Sequence, residues 1–384
     1  MKNISEFTQC ANCGACYNIC PVDAIHVDDQ DLFYRVVVDQ DKCIDCGRCA
    51  AVCPVNTPQD WQDIRGAFSA VYCDEKIVKI SSSGGAFTAL AEWILEQGGV
   101  VYGACYADDR KSVVFRSTDQ VLLDELRRSK YVESLVEESF RDVKKQLERG
   151  RMVLLCGTPC QVAGLLRFLG REYNNLYTCD FSCGGLPSHE LYRSYLRDLE
   201  QRFGAKVSDV NFRPKIFGWE NHAIRIRFSN GRVYESPSTL DPYFCAFVER
   251  HYSVRDNCLD CGFADNHYAD IILADFWKFR EFGGEKEHHR GLSLVISNSE
   301  KGQAMLRAVS GKLRFRELDP VKACYNMKRK SRNEIFLQRR KTFMDSCRSE
   351  GLMKAAGYLN IPSGSRKLAL RIKSAVKKNL WGVK

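Results

Sequence analysis

Residues 10–21 read CANCGACYNICP, and residues 43–54 read CIDCGRCAAVCP. Both stretches space four cysteines as Cys-x2-Cys-x2-Cys-x3-Cys and place a proline after the fourth. Three thiolates at three-residue intervals can surround one iron–sulfur cube from a single loop, and the fourth, one helical turn further on, can reach a second cube. The doubled stretch therefore predicts a small domain that holds two 4Fe–4S clusters.

The spacing also predicts how the eight cysteines are shared between the clusters. The first cluster takes three cysteines of the first run and the last of the second: Cys10, Cys13, Cys16 and Cys53. The second cluster takes the opposite set: Cys43, Cys46, Cys49 and Cys20. Zinc sites use ligands in two pairs, and disulfide frameworks suit small secreted chains, so neither alternative fits as well. Residues 1–58 resemble a bacterial two-cluster ferredoxin module, which transfers electrons.

The composition indicates a globular protein of a reducing compartment. Of 384 residues, 45% are hydrophobic and 27% charged, and 19 are cysteine. The opening residues Met-Lys-Asn-Ile-Ser-Glu-Phe lack the apolar stretch of a signal peptide, and no apolar run approaches the ~20 residues of a membrane span. We therefore expect a cytoplasmic protein whose cysteines serve metal and redox chemistry.

Charge divides the chain into three surfaces that should have different partners. Residues 1–60 carry four Lys and Arg against nine Asp and Glu, whereas residues 321–384 carry seventeen against three. Residues 346–384 form a basic tail, and 366–384 within it predict a helix. That helix suits an anionic surface at the inner face of a membrane. Packing on the body or on an acidic partner is the alternative, and nucleic acid is not expected because no recognition module accompanies the charge.

Residues 66–345 predict an α/β domain, because strands alternate with helices. The predicted strands are Val100–Tyr106, Met152–Cys156, Leu176–Phe181, Asp270–Phe276 and Leu292–Ser297. The predicted helices are Ala86–Glu96, Leu135–Arg149, Pro159–Leu169 and His189–Arg202. Asn230-Gly231 predicts a hairpin turn with both residues at positive φ. In the module we expect short strands near Ala24–Val27 and Arg35–Asp39, and we interpret residues 56–59 as the linker.

Two turns stand before predicted helices. Ser81-Ser82-Ser83-Gly84-Gly85 offers hydroxyl and N–H groups at a helix start, which suits a pyrophosphate, with an ordinary capped turn as the alternative. Gly157-Thr158-Pro159-Cys160-Gln161 follows a strand, with Thr158 as a good N-cap. This unit predicts that Cys160 lies at the carboxyl edge of the sheet, where α/β proteins bind cofactors.

The order of the motifs resembles the beta subunit of coenzyme F420-reducing hydrogenase and its relatives, which include F420-linked dehydrogenase subunits and hydroxymethyl-chlorophyll reductases. Besides the two turns, five motifs carry the resemblance: Ser129–Ser134 (SKYVES), Cys183–Ser188 (CGGLPS), Arg213–Trp219 (RPKIFGW), Cys258-x2-Cys261 and Ala269–Trp277 (ADIILADFW). The resemblance runs from about Lys79 to Ser299, with the ferredoxin module fused in front.

The resemblance implies a flavin-binding α/β domain with FAD and a third 4Fe–4S cluster. Its candidate ligands are Cys160, Cys183, Cys258 and Cys261, with buried thiols as the alternative. Cys156 and Cys179 rank second, because both lie in predicted strand interiors. Contacts to FAD are expected from Ser82, Ser83, Gly84, Gly85, Thr88, Lys130, Thr158 and Gln161. Lys130 would face the flavin N1 region or an acidic substrate, and it is the candidate catalytic residue; a solvated surface lysine is the alternative.

Four smaller interpretations complete the sequence analysis. Trp219 and Trp277 flank a flat ring or pack in the core. His288 and His289 lie in a solvated loop. The remaining cysteines are structural: Cys73, Cys105, Cys245, Cys324 and Cys347. No nucleophile is paired with a base, so a hydrolase is not expected.

The resemblance implies an iron–sulfur flavoprotein oxidoreductase. Electrons would move between a hydride-type partner, such as F420, NAD(P)H or a dedicated small molecule, and a one-electron carrier or partner redox subunit. The route would pass through FAD and the 4Fe–4S clusters. The alternative is a non-catalytic relay subunit that docks a separate hydrogenase, dehydrogenase or reductase through its acidic cluster domain.

Overall fold

The structure is a computed structural model that describes residue 4 and residues 9–56, 64–284, 290–325 and 332–381. The N-terminal module has four short elements: α1 (Ala15–Ile19), β1 (Ile25–Asp28), β2 (Arg35–Val38) and α2 (Arg48–Ala51). Strands β1 and β2 pair antiparallel between the two cysteine runs. Each helix begins after a glycine with positive φ, 85° at Gly14 and 72° at Gly47, a conformation that costs other residues energy.

The body is built on a nine-stranded sheet with the spatial order β14-β3-β13-β12-β8-β7-β4-β5-β6. Its nine strands are β3 (Gly66–Tyr72), β4 (Val100–Tyr106), β5 (Val113–Ser117), β6 (Ser134–Leu135), β7 (Val153–Cys156), β8 (Leu176–Phe181), β12 (Ile271–Asp275), β13 (Ser293–Ser297) and β14 (Leu313–Leu318). A separate three-stranded sheet consists of β9 (Val207–Asn211), β10 (Ala223–Phe228) and β11 (Val233–Pro237). The central strands β4, β7, β8 and β12 run parallel, so their carboxyl ends meet at one edge.

Helices cover both faces of this sheet. They are α3 (Glu75–Ile80), α4 (Ala86–Glu96), α5 (Leu123–Leu126), α6 (Ser139–Glu148), α7 (Pro159–Leu169), α8 (His189–Phe203), α9 (Pro242–Phe244), α10 (Glu300–Ala308), α11 (Pro320–Tyr325), α12 (Glu334–Glu350), α13 (Leu352–Ala355) and α14 (Gly364–Trp381). Along β7 the side chains alternate between the two cores: Val153 and Leu155 lie with α6 and α7, and Leu154 lies with α4 and α10. The mixed α/β architecture is confirmed.

Strong local patterns predicted four elements to the residue: Val100–Tyr106, Leu176–Phe181, Ala86–Glu96 and Pro159–Leu169. Two predictions were wrong. The helix expected from Leu135 begins at Ser139, because Ser134–Leu135 pairs with β5 as a strand. Asn230 does not have positive φ; Gly231 alone does (81°), and its N–H donates to the Phe228 carbonyl (2.9 Å), as in a type I turn followed by one left-handed residue.

The module packs on the body through α1, which lies against α6 and α7. Arg141 of α6 donates to three carbonyls at the end of α1, those of Tyr17 (3.0 Å), Asn18 (2.8 Å) and Cys20 (3.0 Å). These carbonyls lack partners within the helix, so the guanidinium supplies the missing donors. The predicted linker continues beyond Asn56 into residues outside the described ranges, and the domain bounds remain predictions.

Helices α12 and α13 complete the body by packing Phe343, Met344, Cys347 and Leu352 on the apolar core around α8. The last helix, α14, follows them along the chain. Of the helices in the described ranges, none combines the length and the apolar character needed to cross a membrane.

Candidate functional site

The structure brings the predicted first-cluster cysteines together on the inner side of the module. Burial raises the pKa of the Cys16 thiol, and the neighbouring Cys10 and Cys53 sulfurs raise it further. Burial also raises the pKa of the Cys13 thiol, and its neighbours Cys16, Cys10 and Cys53 raise it further. Cys13, Cys16 and Cys53 are buried and Cys10 is half-buried. Buried thiols close to other sulfurs lose a proton readily only with a cation among them, and iron supplies that charge. The arrangement therefore fits a cluster, and the ligand assignment remains a prediction.

The predicted second-cluster cysteines line one small cavity on the outer side of the module: Cys20, Cys43, Cys46 and Cys49. Cys46 is exposed, and so is the neighbouring Ile44. Backbone N–H groups donate to sulfur in both groups, from Asn12 to Cys10 Sγ (3.3 Å) and from Ala24 to Cys20 Sγ (3.3 Å). Such hydrogen bonds stabilise cluster thiolates.

A third cysteine group lies in the body, and it is the set that the resemblance implied. Burial raises the pKa of the Cys160 thiol, and charges on Cys183 and Cys261 raise it further. Burial and the same two charges raise the pKa of Cys258 to about 12. The N–H of Gly185 donates to Cys183 Sγ (3.4 Å), and that of Leu186 donates to Cys258 Sγ (3.4 Å). The group therefore fits a cluster in the same way as the first.

The second-ranked cysteines form a separate pair. Cys156 and Cys179 lie opposite each other on β7 and β8, and contact with Cys156 raises the pKa of the buried Cys179 thiol. Cys105, Cys245 and Cys347 are buried as expected for packing residues. Cys73 is exposed, which does not fit a packing role, and the side chain of Cys324 lies outside the described ranges.

The third group adjoins the first. Cys160 Sγ donates to the carbonyl of Ala11, within the first cysteine run, at 3.5 Å. On α7, a Cβ at Gly164 would lie 3.0 Å from Cys13 Cβ and 3.1 Å from Cys13 Sγ, so a side chain there would force the module away. The three cysteine groups thus follow one another from the body to the outer side of the module.

A cleft of about 280 Å³ lies at the carboxyl edge of the central strands. Seven of the eight predicted FAD contacts line it: Ser82, Ser83, Gly85, Thr88, Lys130, Thr158 and Gln161. Gly84 does not. A Cβ there would lie 2.4 Å from the Ala70 carbonyl oxygen, so this glycine allows the turn to pack on the sheet. Cys183 lines the same cleft and so connects it with the third cysteine group.

The turn at Ser81–Gly85 is held from several sides. Ser82 Oγ accepts from the Ser129 N–H (2.8 Å), and Ser83 Oγ donates to the Leu292 carbonyl (2.8 Å). The buried Lys215 Nζ donates to the carbonyls of Val78, Ser83 and Arg290 at 2.6–2.7 Å. Sequence reasoning missed Lys215, although it belongs to the RPKIFGW motif.

Thr158 and Gln161 line the cleft with polar groups that are already engaged. Gln161 Oε1 accepts from the Thr158 N–H (2.9 Å), completing a capping box at the start of α7. Gln161 Nε2 donates to Ser134 Oγ (3.0 Å), and the Thr158 hydroxyl lies 3.1 Å from Cys160 Sγ. Their first role is therefore to fix the helix start and the orientation of Cys160.

Lys130 is not a solvated surface lysine. Its Nζ donates to the carbonyls of Arg127 (2.7 Å) and Arg128 (3.2 Å) and lies over the Tyr106 ring. Burial, with a smaller contribution from the Arg128 charge, lowers the pKa of Lys130 to about 7. The side chain is half-buried at the cleft, where it can change charge near neutral pH.

The two motif tryptophans stack on each other, with ring centroids 4.6 Å apart. Trp219 is buried and donates through Nε1 to Asp275 Oδ1 (3.1 Å), whereas Trp277 is partly exposed. Arg213 donates to the other oxygen of Asp275 (2.6 Å). Core packing is thus confirmed for Trp219. His288 and His289 lie outside the described ranges.

A buried charge network that sequence reasoning missed joins module and body. Glu133 accepts from Arg255 Nη1 (3.0 Å), from His189 Nδ1 (2.8 Å) and from the Tyr34 N–H (3.0 Å). His189 Nε2 lies 3.2 Å from the Asp29 carbonyl oxygen, so both ring nitrogens face oxygen atoms. Its ring stacks on that of Tyr34, 3.8 Å apart.

Arg255 connects this network with the cysteine groups. Its Nε donates to the Cys10 carbonyl (3.3 Å) and its Nη1 to the Tyr34 carbonyl (2.7 Å). Burial alone would lower the pKa of Arg255, but Glu133, Cys10 and Cys258 together raise it above its usual value. A permanent cation thus lies beside both the first and the third cysteine group. The position of Glu133 within the SKYVES motif was the one available signal.

Across the described part of the chain, no three Cys, His, Asp or Glu side chains are arranged to hold a single metal ion. Residues 9–57 match the family model of a 4Fe–4S dicluster domain. The matched segment and the geometry together define an iron–sulfur electron-transfer protein.

The body gives the second step of the identification. Residues 150–321 match the family model described as the C terminus of the coenzyme F420 hydrogenase/dehydrogenase beta subunit. The resemblance is confirmed for these segments: residues 150–321 match the C-terminal region of this family, and residues 9–57 match the 4Fe–4S dicluster domain.

Comparison with solved structures adds a similarity in fold. The chain is similar to a chain of the F420-reducing NiFe hydrogenase complex from Methanosarcina barkeri, with 17% identity and a TM-score of 0.46. The similarity covers 70% of this chain and 89% of that one. The search of curated proteins gave no match.

Proposed function

We propose that this chain is a flavin- and iron–sulfur-dependent oxidoreductase that connects a hydride-type partner with a one-electron carrier. The observation that carries the proposal is the sequence of contacts from the cleft outward. Cys183 belongs both to the cleft and to the third cysteine group, and Cys160 contacts the first cysteine run. A two-electron site in the cleft would therefore adjoin a continuous series of one-electron sites.

The residues around the cleft fit FAD. Helices α4 and α7 both begin at the cleft. The N-terminus of each helix provides backbone N–H groups and the positive end of the helix dipole, which favour a phosphate. Phe115, Leu126 and Leu186 supply apolar walls that suit a flat ring. When bound, a flavin exchanges a hydride with an organic molecule and single electrons with an iron–sulfur cluster.

Individual residues then receive roles toward that group. Ser82, Ser83 and Gly85 of the turn, together with Thr88 in the first turn of α4, would hold the phosphates. Lys130 lines the cleft with Arg127 and Arg128 and is a cation that could face the ring or an acidic substrate. Its pKa near 7 lets it hold or release a proton there. Thr158 and Gln161 orient Cys160 as a cluster ligand.

The three cysteine groups would hold three 4Fe–4S clusters, about twelve irons in all. The third cluster lies nearest the cleft, the first follows, and the second lies at the exposed loop with Cys46. A one-electron carrier or partner redox subunit would exchange electrons at that outer loop. Its acidic surroundings favour a partner with a positive docking face.

We consider three classes of hydride partner: F420, a nicotinamide and a dedicated small molecule. The matched family is named for coenzyme F420, which makes F420 the first to test.

The test is anaerobic reconstitution of the full chain, followed by iron, sulfide and flavin assays. We expect about twelve irons and one flavin per chain, and bleaching of the flavin and cluster absorbance on mixing with reduced F420 or NADPH. Lys130→Met should weaken flavin binding, whereas the matched change Lys144→Met, on the exposed surface of α6, should not. A folded, colourless chain without iron would overturn the proposal.

A relay role without chemistry of its own is the second candidate, because the family is described as a beta subunit. In that case the flavin-loaded chain would stay oxidised with every small-molecule reductant tested. It would be reduced only after a separate catalytic protein is added. Bleaching without any partner protein decides for the enzyme.

A further inference from the structure

The last helix, α14, contacts the body with a polar side. The partly buried residues of its second to fourth turns are Lys367, Leu370, Ser374 and Lys377, spaced three and four apart along one face. Lys377 Nζ donates to Asn221 Oδ1 (2.6 Å), and Lys378 pairs with Glu235 on β11. An amphipathic helix of a globular protein normally turns its apolar side to the core. In α14 only Leu370 of that face is apolar.

The apolar side of α14 points into solvent. Leu368, Ile372 and Val376, four residues apart, are 60%, 56% and 53% exposed. They form a continuous stripe over two turns, on the side of the helix opposite Leu370 and Ser374. Aliphatic groups left in water are unfavourable, so a stripe that the fold holds outward indicates an apolar partner.

Positive charges border the stripe. Between Gly364 and Trp381 the sequence has six Lys and Arg and no Asp or Glu. Arg371 lies along one edge of the stripe and Lys373 along the other, and both are exposed. Long basic side chains on both edges can reach anionic groups while the stripe between them is covered.

We propose that α14 is a surface anchor that lies on an anionic membrane, with the Leu368–Ile372–Val376 stripe in the headgroup and acyl boundary. The combination of a narrow aliphatic stripe with basic edges is that of interfacial helices. Six cations along 18 residues prevent the helix from spanning the bilayer and favour a position parallel to it. The proposal is independent of the flavin and of the hydride partner.

Charge favours lipid over the other occupants. A second copy of this chain would bring an equally basic helix against α14, with repulsion along both edges. A bilayer that contains anionic lipid offers negative charge on every side of the stripe, and each basic residue near it adds roughly 1 kcal/mol of binding, about fivefold in affinity.

The test uses the intact, cluster-loaded chain in flotation with two kinds of vesicle, phosphatidylcholine mixed with phosphatidylglycerol and phosphatidylcholine alone. We expect binding to the anionic vesicles, weakening as salt is raised. Ile372→Asp should lower the partition coefficient about tenfold or more, and Arg371→Glu with Lys373→Glu should do the same. The controls are Leu122→Asp, at an apolar position of the body that is even more exposed than Ile372, and Lys144→Glu. Both should bind like the natural chain.

Because all the changed side chains are exposed, we expect each variant to fold. Iron content and thermal unfolding measurements check this. Equal binding to both kinds of vesicle, no binding to either, or unchanged binding of Ile372→Asp would each overturn the proposal. A dimer in sedimentation analysis that Ile372→Asp dissociates would also overturn it, because the stripe would then be a contact between copies of the chain.

Discussion

The two cysteine runs have the same spacing, but their equivalent second cysteines, Cys13 and Cys46, have different surroundings. In the first run Cys13 and Cys16 are buried, and its loop contacts α7 of the body. In the second run Cys46 is exposed, next to the exposed Ile44. The two runs therefore share a pattern of candidate ligands, and their contacts with the body distinguish them. The first, inner run contacts the third cysteine group, whereas the second, outer run has an exposed loop that a partner could reach.

The largest difference should appear when a ligand is removed from each run. Cys13→Ser and Cys46→Ser should each lose one cluster, about four irons of twelve. Only Cys13→Ser should interrupt the route, leaving the second cluster oxidised when the flavin is reduced. Cys46→Ser should leave internal reduction of the first and third clusters intact.

Iron and sulfide assays with electron paramagnetic resonance of the reduced protein check both results. If the two variants behaved alike, with internal reduction preserved in each, the inner and outer assignments would be wrong.

The next effect concerns the charge network that fixes the inner side of the module. Glu133→Gln leaves Arg255 and His189 buried without their carboxylate, and breaking a buried pair costs about 3–5 kcal/mol. Asp39→Asn is the matched change on the outer side, where the carboxylate pairs with Lys42 in water, and stability should not change measurably. Urea unfolding monitored through the cluster absorbance measures both, and a Glu133→Gln chain as stable as the natural one would remove the network from the interface.

The equivalent glycines of the two runs give a smaller contrast. Gly14→Ala and Gly47→Ala share the cost of a left-handed conformation, about 1 kcal/mol. At Gly14 the new Cβ would also lie 1.9 Å from Val136 Cγ2 of the body, and such overpacking adds about 1–3 kcal/mol. Gly14→Ala should therefore be the less stable variant in urea, and equal stability would indicate that the module can move away from the body at little cost.

The smallest effect is a pH dependence of flavin binding at the cleft, where Lys130 lies. Burial lowers the pKa of Lys130 to about 7, below the value near 10.4 of an unfolded lysine. Between those values the unfolded chain binds a proton that the folded chain does not, so this residue makes stability rise with pH. In the folded chain the cation is lost as pH rises through about 7, and flavin affinity should fall a few-fold with it.

Fluorescence titration with flavin at several pH values measures the change, and Lys130→Met should abolish it. Oxidation of the reduced outer cluster by an added one-electron acceptor should show no such dependence on Lys130. A pH profile that persists in Lys130→Met would assign the titration to another group.

Local patterns predicted the cysteine loops and four elements to the residue, since strand and helix periodicities and cap residues act over a few positions. The same patterns missed the network of Glu133, His189 and Arg255, whose members are 56 and 122 residues apart. They also could not show that Thr158 and Gln161 engage their own helix start, or that α14 turns its apolar side away from the body. Each of these depends on which surfaces meet after folding.

The guanidinium of Arg141, which holds the end of α1, bears on the proposed electron transfer through the molecule. Together with Arg255 it attaches the module to the body at two places, so we expect the module to keep a fixed position and not to move as a separate domain. Charge transfer inside one chain is then independent of protein concentration, and a competing free ferredoxin could intercept electrons only at the exit. Dilution should slow delivery to the outside carrier and leave the internal steps at their original speed.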